Sequence, residues 1–110
     1  MRLTELDPRW VLDRDGKRIA FTFRCPTNPR WRQLCKAVIA STQEQWDWLG
    51  GFDSDDCEIT QTAKPSFAWT IIGGIEGASF ETMTVTPSID GSPGGLWHGF
   101  ITAGQVNGGI

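Results

Sequence analysis

Period-two alternation dominates the chain. Ile19, Phe21 and Phe23 fall on one side of an extended segment, with Ala20, Thr22 and Arg24 on the other. A two-residue repeat is the pattern of a strand with one buried face. Trp10-Val11-Leu12 precedes this segment and Asp15-Gly16 lies between, a strong two-residue turn signal, so 10–24 reads as a β-hairpin. Phe80-Glu81-Thr82-Met83-Thr84-Val85-Thr86 alternates most clearly and runs into Pro87-Ser88, predicting a strand over 80–86. Trp97–Thr102 and Gln105-Val106, joined by Ala103-Gly104, predict a terminal hairpin, after which 107–109 should fray. Shorter strands are expected over 57–62 and 67–72, the second closed by Gly73-Gly74.

One segment follows a different rule. Asn28-Pro29 fits an N-cap with Pro at the first helical position, and Trp31, Leu34, Cys35, Val38 and Ile39 then form a helical stripe. Ala37-Val38-Ile39-Ala40 would serve equally as a buried strand, and periodicity does not separate the two readings. The fold class expected is mainly β: short antiparallel hairpins around one small core, with at most one helix within 29–49. A β-rich α+β arrangement also fits.

Composition sharpens this picture. The 110 residues suit a single domain spanning 1–110, and six Trp with six Phe let few residues build its core. A net charge of −3 offers no basic face for nucleic acid. Arg24, Arg30, Arg32 and Lys36 cluster in sequence and read as a solvated face. No apolar run approaches the ~20 residues that span a bilayer, and Met1–Pro8 lacks an apolar signal core. A cytoplasmic protein is therefore expected. Cys25, Cys35 and Cys57 should then be thiols or metal ligands rather than disulfides.

Those thiols and His98, the single histidine, define the candidate chemistry. Three Cys and one His can hold structural zinc. Paired knuckle spacing is missing, because Asn28 stands where a second Cys would complete Cys-x-x-Cys after Cys25. A Cys thiolate with His98 as base is one alternative, and Glu81 as general base on metal-bound water is another. The bland reading of each Cys is a small buried hydrophobe, and of His98 a surface or hydrogen-bonded residue.

Several segments carry a resemblance: Met1–Trp10, Phe21-Thr22-Phe23-Arg24-Cys25-Pro26, Phe80–Ile89 and Trp97-His98-Gly99-Phe100-Ile101-Thr102-Ala103-Gly104-Gln105-Val106. Together they resemble a family of small phage and prophage proteins of unknown function, whose members are often mislabelled ammonia monooxygenase. Residues 27–68 match poorly. Relatives in bacterial ubiquitin-like operons are regarded as metal-dependent peptidases with a Cys-Glu-His-His residue set. The resemblance implies Cys25 and His98 as metal ligands and Glu81 as the catalytic carboxylate, and the Cys and His donor types point to zinc as the metal. Asn28 and Leu96 occupy positions where many members supply further ligands, and Cys35 or Cys57 would have to compensate.

Two functions compete on this basis. The first is a small phage-type accessory protein that binds a host protein and carries a degenerate metal site, with Trp31 and Trp46 as candidate partner anchors. By analogy with other phage proteins, its partner would be a host defence component in the host cytoplasm. The alternative is a zinc-binding, peptidase-like hydrolase. The missing ligands favour binding over catalysis.

Overall fold

In a computed structural model, residues 1–13, 15–37, 58–61, 68–90 and 97–108 are described, with 58–61 described by backbone alone. The fold is mainly β, as the alternation predicts. Among the described residues, eight strands form two four-stranded sheets: β1 (Arg9–Leu12), β2 (Arg18–Cys25), β3 (Asn28–Lys36) and β4 (Glu58–Gln61) in one, and β5 (Thr70–Ile71), β6 (Val85–Asp90), β7 (His98–Thr102) and β8 (Gln105–Gly108) in the other. Neighbours in each sheet follow chain order, and all pairs are antiparallel except β3 with β4. No helix among the described residues is long and apolar enough to cross a membrane.

The first hairpin forms where the turn signal places it. Asp13 Oδ1 accepts hydrogen bonds from the backbone N–H groups of Asp15 and Lys17, and Gly16 takes a φ of +83° at no steric cost. On β2, Phe21 and Phe23 point into a core shared by both sheets, where they meet Ile71, Val85, Ile89, Ile101 and Trp97. The indole of Trp97 meets Phe23 edge-on at 5.9 Å between centroids, a favoured aromatic geometry.

Residues 29–36 are a strand, not a helix. The helical stripe fails because Trp31 and Cys35 lie on the core side of β3 while Leu34 stands opposite Thr22 on the other face. Residues 38–49, where a helix could still have run, lie outside the described residues. β3 shows no apolar–polar alternation because both of its faces are buried: Arg32, Gln33, Leu34, Cys35 and Lys36 are all inaccessible.

The basic cluster is corrected by the same fact. Arg32 and Lys36 are wholly buried rather than solvated. Arg32 Nε donates to the Thr22 hydroxyl at 3.1 Å, and its Nη atoms reach the carboxylate and carbonyl of Asp7. Asp7 adopts a left-handed φ of +48° at the end of a short 3-10 helix, Leu3–Leu6, that the alternation pattern gave no hint of. Burying a guanidinium is tolerable only when its donors are satisfied in this way.

Two further expectations shift. Residues 80–82 form a turn, since Ser79 O accepts from the N–H groups of both Thr82 and Met83. The strand begins at Val85 and runs through Pro87 to Asp90. Pro87 is accommodated because the register of β6 against β7 breaks between Val85 and Ile89, where no ladder donor is required of it. Asn107 and Gly108 belong to β8 rather than fraying. The outer edge of that strand is covered by the N-terminus: Leu3 N–H bonds to Gly104 O, and Val106 N–H to Met1 O.

Candidate functional site

The candidate residues distribute around the start of β7. The β2 strand ends at Cys25, whose thiol is fully buried and accepts a hydrogen bond from the Trp97 backbone N–H at 3.4 Å. The Thr27 hydroxyl lies 3.3 Å from the same sulfur. Gln33 on β3 donates through Nε2 to the Trp97 carbonyl at 3.2 Å. Side chains from β2 and β3 thus pair both polar groups of one residue, as a neighbouring strand would. The Gln33 Oε1 atom has no partner and is buried. Such an orphaned acceptor costs free energy, which the bond to Trp97 partly offsets.

Gly99 explains the tight packing here. A Cβ at this position would overlap the Trp97 indole and the Asn107 carbonyl, so only glycine lets the indole fold down over β7.

His98, one residue after Trp97, goes the other way. Alternation along β7 buries Gly99 and Ile101 and exposes His98, Phe100 and Thr102. His98 Nδ1 lies 3.9 Å from Asp90 Oδ1 across the strand pair, and His98 Nε2 lies 3.4 Å from Ser88 Oγ. About half of the His98 side chain is open to solvent, at 49%. The backbones of Cys25 and His98 are therefore neighbours, but the thiol is inside the core and the imidazole outside it.

Glu81 stands elsewhere. Its carbonyl packs against Gly104, beyond the end of β7, and β7 carries the chain roughly 13 Å from His98 to Thr102. Its side chain is exposed in the turn. Cys35 pairs with Phe21, four residues up β2 from Cys25 and so roughly 13 Å away. Burial pushes its thiol far up from the ordinary value. Trp31 packs half-buried against the core. Cys57 and Trp46 lie outside the described residues.

A zinc ion needs three or four donors converging on one point. Among the described residues no three His, Cys, Asp or Glu side chains are grouped to hold a metal. The Cys25 sulfur is instead engaged by Trp97 and Thr27, so the donors described do not fit the tetrahedral set that the resemblance implies.

Residue types alone gave no reason to single out Gln33, Ser88 or Asp90. Ser88-x-Asp90 is a period-two pair on one face of a strand, and only the register of β6 against β7 brings it to His98. Outside the chain itself, no family model, no curated protein and no solved structure matches this sequence.

Proposed function

We propose that this protein is a small binding module that acts on a protein partner, with a degenerate form of the metal site that its resemblance implies. The observation that carries this reading is the division between Cys25 and His98. The thiol is spent on holding Trp97 in the core, while the imidazole is held by Ser88 and Asp90 at the surface. A metal-dependent peptidase would need Glu81 near that pair, and Glu81 sits at the far end of β7.

The outer face of the second sheet suits a partner better than Trp31, which is half-buried against the core. Phe100 is 53% exposed beside polar Thr102, Asn107 and His98, an aromatic anchor within a polar rim. A host defence component remains the partner class the phage resemblance suggests.

The experiment is a comparison of partner capture from host cells by the unmodified protein and by Phe100→Asp, alongside zinc analysis of untagged material. Capture that Phe100→Asp abolishes, with no zinc, supports the reading. Equal capture by both, or stoichiometric zinc, overturns it.

A further inference from the structure

We infer that Ser88, His98 and Asp90 form a nucleophilic constellation able to accept an acyl group from an activated ester, an activity beyond the binding proposed above. The three side chains have the order this chemistry needs. A hydroxyl sits on Nε2 of the imidazole, 3.4 Å away, and a carboxylate sits by Nδ1, 3.9 Å away. The Nε2 contact is a long hydrogen bond and the Nδ1 separation is an ion-pair distance beyond hydrogen bonding, and catalytic contacts in a free enzyme commonly tighten only when substrate binds.

The support is local. Asp90 and His98 are directly paired across β6 and β7, and Ser88 lies two residues back on the same face. The Ser88 carbonyl is anchored by the Trp69 indole N–H at 3.3 Å. All three residues come from strands rather than a loop, which favours precise placement. His98 and Asp90 are half-exposed, so an ester can reach them.

The step balances without a cofactor. Ser88 Oγ attacks the acyl carbon and forms the new C–O bond while its proton passes to His98 Nε2. The tetrahedral intermediate collapses, the bond to the leaving oxygen breaks, and that group either takes the proton from His98 or departs as a phenolate while His98 releases the proton to solvent. Water, with His98 again as base, then releases the acid and restores Ser88. Asp90 is a positioning residue that orients the imidazole and offsets its transient charge.

The test uses p-nitrophenyl acetate with the full-length protein, following p-nitrophenolate release and locating the acetyl group by peptide mass mapping. One acetyl on Ser88 is expected. His98→Gln should slow its formation by about 10²-fold, the low end of general-base effects. Asp90→Asn should slow it and Asp90→Glu restore it, with melting curves unchanged in all variants. An acetyl found on His98 or lysines instead of Ser88, or an undiminished rate in Ser88→Ala, overturns the proposal. Neither result bears on partner capture or zinc content, so this inference and the binding reading fail separately.

Discussion

The Cys25 thiol accepts the backbone N–H of Trp97 at 3.4 Å, across 72 residues of sequence. That bond ties the end of β2 to the start of β7, and so the first sheet to the second. It also fixes what a substitution should do. Cys25→Ala removes the acceptor and leaves a buried N–H unpaired, a cost of about 1–3 kcal/mol beyond the lost sulfur packing. Cys25→Ser keeps an acceptor and should recover part of it. Urea melts of the two variants check this; equal loss in both would mean that the bond contributes nothing.

Arg32 and Asp7 supply a second test. The guanidinium is fully buried, whereas the Asp7 side chain is 46% exposed. Asp7→Asn should destabilise by about 1–3 kcal/mol, below the range for a fully enclosed pair because water reaches one side. Arg32→Lys should also destabilise, since an ammonium cannot span Thr22 and Asp7 together. Thermal denaturation of both variants provides the measurement.

Cys35 predicts a pH dependence. Its thiol is raised in the fold by burial, while in the unfolded chain it ionises near its ordinary value of 9.0. The unfolded state therefore binds fewer protons once the pH exceeds that value, and stability falls. The contribution of this group is fully present below pH 9.0 and is lost progressively above it. Lys36, lowered by burial, has the opposite slope up to its ordinary value of 10.5, so the two partly offset. Replacing Cys35 by Ala isolates the thiol: the alkaline decline in melting temperature should be shallower than in the unmodified protein.

Gly104 makes the turn between β7 and β8 with a φ of +77°, and a Cβ there would overlap the Glu81 carbonyl. Gly104→Ala should destabilise by about 1–3 kcal/mol through backbone strain and this clash. Gly77→Ala, where a Cβ meets nothing within 4 Å, should be nearly neutral. Chemical denaturation of the pair separates a required glycine from a permissive one.

The hairpins were legible because their turns announce themselves: Asp15-Gly16 and Ala103-Gly104 sit where the chain must reverse. The strand at 29–36 was not, because burial on both faces erases alternation and leaves Trp31, Leu34 and Cys35 at a spacing that also fits a helix. Phe80 misled in another way. Its apolar character is used in a turn, stacked on Trp10 at 4.3 Å, not on a strand face. Cys25 and His98 could be picked out by type, but which side of the strand each one serves depends on register. The contact to Ser88 and Asp90 depends on the same register, fixed only when β6 and β7 pair.

Cys25 serves the core through its bond to Trp97, and in the proposed reading it holds no metal. The most direct test of that reading is the melting curve of untagged protein with and without a strong chelator, paired with elemental analysis for zinc. Identical curves and no zinc are the expected result. One equivalent of zinc, with a sharp fall in melting temperature on chelation, would contradict the account, because structural zinc contributes its binding energy to folding.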